Sequence, residues 1–337
     1  MTIKFQKFAP AGALAVSAAL LLAACGSSSD DASSAEETTT ESTAAASAEG
    51  GDAGLTGTIA ADGSSTVAPL TEAAADAYRD VQPEVQVTVA TSGTGGGFAA
   101  FCADETDISD ASRPIKDEEA AECAAAGVEF TEIIIANDGL SVVVNPENDW
   151  AQCLTVEQLH TIWSPESEGE VMSWSDVDSS FPDEPLTLYG AGTDSGTFDY
   201  FTDVINGEEG ASRTDYSPSE DDNVTIQGVS GELGGLGYFG LSYLEENPDI
   251  IKGVEIDGGE GCVYPSTETV QDGSYSPLGR PLFIYVNNAN YAEKPELQDF
   301  IDYYVSNSGE IAQSALFVPL TDDQIETAES ELASLVG

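Results

Sequence analysis

Positive charge is what this chain has least of: 9 Lys+Arg stand against 61 Asp+Glu in 337 residues, a formal net charge of −52 at pH 7. Binding to a phosphodiester backbone or an anionic membrane surface rests on clustered Lys and Arg, so nucleic acid is excluded as a partner. Histidine is nearly absent. The single His160 sits in an amphipathic-looking stretch, Val156 to Trp163, and reads as a structural helix residue. No Gly-x-Ser-x-Gly elbow surrounds Ser195, so a Ser–His hydrolase lacks its parts and no catalytic residue is assigned. The five cysteines include no C-x-x-C pair, so neither a zinc site nor any other metal site is expected. The glycine-rich run Gly93 to Gly97 has Phe98 where a dinucleotide fingerprint needs glycine, and no cofactor is expected. The apolar run from Phe8 to Leu22 falls short of the roughly 20 residues that span a bilayer. What remains is ample core material, 41% hydrophobic and 8% aromatic, which excludes disorder throughout.

At the N-terminus, Lys4 and Lys7 precede the apolar run, which ends in Leu22-Ala23-Ala24-Cys25. This pattern resembles a bacterial lipoprotein signal peptide over residues 1–24, with Cys25 as the lipidated first residue of the mature chain. An uncleaved anchor is the alternative reading. Removal of the leader leaves seven basic residues. Cys102, Cys123, Cys153 and Cys262 remain, an even set that suggests disulfides in an exported protein. Of three possible pairings, 102–123 with 153–262 is favoured, because Cys102 and Cys123 fall in neighbouring candidate helices. From Gly26 to about Gly54 the sequence is almost entirely Ser, Ala, Thr, Gly, Asp and Glu. It cannot bury enough surface to offset its ordering entropy, so residues 25–56 read as an acidic, flexible tether.

Beyond the tether, short β-type runs alternate with helical stretches, which predicts α/β layers with largely parallel strands in two lobes. Predicted helices include Val67–Val81, Gly95–Cys102, Ile115–Ala126, Thr155–Trp163, Ser195–Ile205, Lys294–Ser306 and Asp322–Leu335. Predicted strands include Glu129–Ala136, Ser141–Asn145, Leu186–Tyr189, Val224–Gln227, Leu236–Phe239 and Pro281–Val286.

Three donor-rich turns fall between a strand and a helix start: Gly63-Ser64-Ser65-Thr66, Ser92-Gly93-Thr94-Gly95-Gly96-Gly97 and Gly192-Thr193-Asp194-Ser195-Gly196-Thr197. Helix N-termini expose unpaired N–H groups and the positive dipole end, and Ser or Thr adds a hydroxyl. One such turn is an ordinary N-cap. Three, each at a strand's carboxyl end, point to an oxyanion crevice. Arg113, in Asp107-Ile-Ser-Asp-Ala-Ser-Arg-Pro114, offers a bidentate fork for a tetrahedral oxyanion, with a surface ion pair as the alternative. Asp138 lies between two β-like runs, where it reads either as an Asp-Gly turn or as an acceptor-only group in the crevice. Such a group favours protonated phosphate and penalises sulfate, which has no proton to donate.

These motifs, with Asp138-Gly-Leu-Ser-Val-Val-Val-Asn-Pro146, Asp194-Ser-Gly-Thr-Phe198 and Gly235-Leu-Gly-Tyr-Phe-Gly240, resemble in content and order the phosphate-binding lipoproteins of Pst-type phosphate ABC importers. The resemblance runs from about Thr58 onward. It implies the type II periplasmic-binding-protein fold, with residues 57–143 plus 253–337 as one lobe and 144–252 as the other, joined by a hinge of two crossovers. It implies phosphate as ligand, a membrane permease as partner, a monomer, and a lipid-anchored place on the outer face of the cytoplasmic membrane. Ser65 and Thr66 match the family's first-loop donors, Thr94 its second-loop hydroxyl, and Ser195, Gly196 and Thr197 its Ser-Gly-Thr. Two departures stand out. The family's Arg a few residues before Ser-Gly-Thr is missing from Tyr189-Gly-Ala-Gly-Thr-Asp194, and Ser112 replaces the third-loop Asp. Arg113 and Asp138 are therefore expected to take over the cationic and proton-accepting roles, with Arg213 in reserve. A secreted phosphate-recognising hydrolase or a binder of another oxyanion is the alternative. A secreted scaffold would account for tether and acidity but not for the three turns.

Overall fold

The structure, a computed structural model, describes residues 54–193 and 195–335. The expected signal peptide, Cys25, the tether as far as residue 53, and Asp194 lie outside the described residues. The chain begins β1 (Gly57–Gly63), α1 (Ala68–Tyr78), β2 (Val85–Ala90), α2 (Thr94–Cys102), β3 (Ile108–Ala111), α3 (Asp117–Ala126) and β4 (Phe130–Val144). It continues with β5 (Cys153–Thr155), α4 (Val156–Trp163), α5 (Trp174–Val177), β6 (Thr187–Ala191), α6 (Gly196–Asn206), β7 (Ser217–Ser219), α7 (Asp222–Gly231) and β8 (Gly235–Gly240). Short strands β9 (Lys252–Gly253), β10 (Glu255–Asp257) and β11 (Cys262–Val263) precede β12 (Gly279–Asn287) and the C-terminal helices.

Local chemistry accounts for most of these elements. Pro69 in the first turn of α1 loses no needed N–H, and Leu70, Ala74 and Tyr78 then bury one helical face. In α4, Thr155 and Gln158 satisfy each other's backbone in a capping box. One segment departs from expectation. Val224–Gln227 reads as β because of its branched side chains, yet it lies inside α7. Asp221 caps the Asn223 N–H, and Thr225, Ile226 and Val229 bury a helical stripe that outweighs β propensity.

The main sheet runs β2-β1-β3-β12-β4-β8-β6-β7, with β9 also on β4. β1 pairs in parallel with β2 and β3, and β6 with β7 and β8. Strand β4 joins the two halves. Its N-terminal part pairs antiparallel with β12, from Asn287 opposite Phe130 to Gly279 opposite Gly139. Its C-terminal part pairs with β8, starting at Leu140 opposite Gly240. The two expected β-runs on either side of Asp138 are thus one strand, and Asp138 is within it rather than in a turn.

Two sets of apolar residues pack separately. Ile59, Leu70, Ile108, Ile133, Ile284 and Phe300 belong to the first lobe, with a satellite of Phe98, Phe101 and Tyr285. Leu140, Val142, Val143, Val144, Trp163, Phe201, Tyr238, Ile256, Val270 and Leu278 belong to the second. Leu140, Val142, Val143, Val254, Ile256, Val270 and Leu278 pack in the second set, which Val318 also joins. The reason is pairing: β10 is bound to β5 and β9 to the second half of β4. Disulfides Cys102–Cys123 and Cys153–Cys262 form as expected, the first tying α2 to α3 and the second tying β5 to β11. Cys153, Cys262 and Glu255 are the one metal-capable cluster among the described residues, and its sulfurs are joined to each other. No described helix is long and apolar enough to cross a membrane.

Candidate functional site

The turns after β1, β2 and β3 converge because their strands are neighbours. Ser64 N–H donates to the Asp110 carbonyl, and Gly93 N–H to the Gly63 carbonyl. A side chain at Gly63 would place its Cβ 2.1 Å from the Asp110 carbonyl oxygen, so only glycine fits. Thr94 Oγ1 lies 3.0 Å from Ser112 Oγ and accepts from the Ser112 N–H at 3.3 Å, which locks the second turn to the third. From the second lobe comes the N-terminus of α6. Ser195 Oγ accepts from the Thr197 N–H and the Ser195 carbonyl from the Asp199 N–H. The lobes touch here: Thr66 Oγ1 donates to the Gly196 carbonyl and Ser65 Oγ to Asp199 Oδ2, both at 3.3 Å.

Between these turns lies a cavity of about 500 Å³, whose wall includes Ser65, Thr66, Thr94 and Ser112 from the first lobe and Asp199 and Tyr200 from the second. Ser195, Gly196 and Thr197 adjoin it through the Thr66 contact rather than lining it. Three of the seven basic residues that follow residue 24, Arg113, Lys116 and Arg280, line this one cavity. In so acidic a chain that concentration singles this cavity out as the candidate site, although Asp199, Asp203 and Glu209 share its wall.

The cation at its base is Arg280, which the sequence reading missed. Arg280 faces Asp138 directly across the β12–β4 ladder. Its Nε and Nη2 donate to Asp138 Oδ2 at 3.4 Å, Nη1 to the Ser112 carbonyl at 3.1 Å, and Nη2 to Thr66 Oγ1 at 3.2 Å. The signal that could have found it is scarcity: one of few basic residues, next to the β-type run Pro281–Val286.

The other expected charges are placed differently. Arg113 does reach the cavity, but Glu119 takes both arms of its fork at 2.8 Å. That bond holds the Glu119 carboxyl below its ordinary value and raises the Arg113 value. Arg213 is not in the cleft. It is 3% exposed and fastened to Asp215 and to the Ile162 and Val171 carbonyls, a staple of the second lobe. Asp138 is 5% exposed and sits behind Arg280 instead of on the cavity wall, because the ladder spends its carboxylate on the guanidinium. Burial pushes its carboxyl up and Arg280 opposes the shift. The carboxylates that do line the cavity are Asp199, Asp203 and Glu209. Burial raises Asp199 against its Ser65 bond, and burial followed by repulsion from Asp199 raises Glu209. His160 lies at the other end of α6 from Ser195, its Nδ1 near the Ile205 carbonyl and Asn206.

A domain model of the PBP superfamily matches residues 33–308. Protein SphX of Synechocystis is 47% identical over 266 residues, 79% of each chain. Phosphate-binding protein PstS of Staphylococcus saprophyticus is 36% identical over 282 residues, 83% of this chain and 86% of that one. The crystal structure of a possible phosphate binding protein from Planctomyces limnophilus superposes with a TM-score of 0.80 at 45% identity, covering 84% of this chain and all of the other.

Proposed function

From the premise that this chain belongs to the PBP superfamily, among the relatives of SphX and PstS, and has its type II two-lobed fold, we propose that its cleft captures inorganic phosphate for an ABC importer. The observation that carries this reading is the meeting of three hydroxyl-bearing turns, Asp199 and Tyr200 of α6, and Arg280 on one cavity. Ser65, Thr66, Thr94 and Ser112 supply hydroxyls, the turn at Ser195, Gly196 and Thr197 supplies backbone N–H groups, and Arg280 supplies the charge. Arg113 and Lys116 contribute at the wall. Asp138 anchors Arg280, and Asp199 is the acceptor that a protonated oxyanion meets. Micromolar affinity corresponds to about 8 kcal/mol, which several charge-assisted hydrogen bonds of roughly 1.5–3 kcal/mol each supply after ordering costs.

The lobes are residues 55–139 with 279–335, and 140–278. Lipidation at Cys25 after removal of residues 1–24 tethers a monomer outside the cytoplasmic membrane, where it hands phosphate to the permease without turning it over. Calorimetric titration with phosphate, arsenate and sulfate tests this. Saturable phosphate binding with sulfate discriminated against is expected. Absence of phosphate binding together with hydrolysis of a phosphate ester would replace the carrier with an enzyme.

A further inference from the structure

Helix α6 does more than present its N-terminus. Gly196 and Tyr200 are four residues apart and share a helix face, and that face meets the first lobe. Gly196 packs on Thr66, where an added Cβ would lie 2.7 Å from Oγ1, and Tyr200 covers Arg280, with Cζ 3.3 Å from the ring centroid. The ring is itself fixed: Tyr200 OH donates to the Pro277 carbonyl at 2.5 Å, three residues before Arg280 on the crossing between lobes. In its own plane the guanidinium is held by first-lobe groups, namely Asp138, the Ser112 carbonyl and Thr66 Oγ1. Of its five N–H donors, those bonds leave one on Nη1 uncommitted. Its face is held by the second lobe alone. Without that face contact, the nearby carboxylates of Asp199, Asp203 and Glu209 compete for the side chain.

We propose that Tyr200 is a positioning residue: its ring fixes the plane of Arg280 when α6 docks, so that approach of the lobes aligns the cation and completes the ring of N–H donors in the same step. This rests on the anion-capture reading. The bond from Arg280 through Thr66 to the Gly196 carbonyl runs along the same contact, so ligand donors and clamp move as one unit.

The test is a double-mutant cycle in phosphate affinity using Tyr200→Leu, Arg280→Gln and the pair. Tyr200→Leu is expected to weaken phosphate binding about five- to thirty-fold, the range of a partly to fully desolvated cation–π contact. Tyr200→Phe, which keeps the ring, should stay within about threefold of wild type. In the Arg280→Gln background Tyr200→Leu should cost less than about twofold more, since coupled residues are not additive. Equal losses in both backgrounds would overturn the clamp. Because Tyr200 is buried, Tyr200→Leu can fail to fold, and pentafluorophenylalanine at position 200 provides a variant of the same shape with the ring quadrupole reversed. Loss of affinity relative to Tyr200→Phe supports the clamp, and unchanged affinity overturns it. Wild-type protein that binds no phosphate would overturn the capture reading itself, a result distinct from additivity in a protein that binds.

Discussion

Arg280 holds its place because Asp138 stands opposite it in the ladder while Ser112 and Thr66 close in from the adjoining turns. Replacing it with Ala removes a charge-assisted donor and leaves Asp138 buried without its partner. Phosphate affinity is expected to fall about 10- to 150-fold, as read by titration calorimetry. Arg213→Ala should instead lower the melting temperature and leave the affinity of the folded protein within about threefold, since the partners it leaves, two carbonyls, Asp215 and Met172 Sδ, do not line the cavity. The reverse pattern would return the cationic role to Arg213. Asp110 accepts from Thr71 with one carboxyl oxygen, while its other oxygen is buried without a partner among the described residues. Burial, opposed by the Thr71 bond, pushes its carboxyl up to about 7. An unfolded Asp titrates near about 3.9. Between these values the folded chain keeps a proton the unfolded chain has lost, so this residue's contribution to stability falls as pH rises from about 4 to about 7 and is level above that. Asp110→Asn keeps an acceptor for Thr71 and removes the titration. Its melting temperature relative to wild type should therefore rise between about pH 5 and pH 8, and an offset independent of pH would contradict the assignment.

At the scale of elements, the site is a meeting of strand ends with the start of α6, and its tightest point is Gly196 against Thr66. Gly196→Ala forces the two walls apart by its Cβ alone. It should weaken phosphate binding by about tenfold or more, with little change in the melting temperature of the ligand-free protein, and an unchanged affinity would show that the walls need not touch. This scale also shows what was legible in the sequence. The three turns could be read because their chemistry is local: glycine where a strand must end close to another backbone, and Ser or Thr where a helix starts. The first disulfide followed from two adjacent helices. Arg280 could not be read this way, because nothing within its own strand marks it, and its partner Asp138 is 142 residues distant in sequence. The side on which β10 packs is hidden for the same reason, since it is declared only by pairing with β5. In α7, branched residues obeyed the burial of a helical stripe rather than their own preference.

For the whole molecule, the charge that excluded nucleic acid does not exclude a small anion. Exposed charges are screened over about 8 Å at physiological salt, while the cleft gathers three of the seven basic residues that follow residue 24. The field outside the cleft still opposes an approaching anion. Phosphate association followed by stopped flow should therefore accelerate as ionic strength rises from a few millimolar to about 150 mM, and deceleration with salt would mean that the cleft's own cations dominate at long range. Strand β4 runs through both lobes, and β12, which carries Arg280, pairs with its first-lobe half. The central claim is that phosphate sits where Arg280, the hydroxyls of Thr66 and Thr94 and the N-terminus of α6 converge. A crystal structure of the protein with bound phosphate tests it most directly. The account predicts the anion within hydrogen-bond distance of Arg280 and of first-turn N–H groups of α6, with Asp138 still behind the guanidinium. Phosphate found against Arg213, or an empty cleft at saturating phosphate, would contradict it.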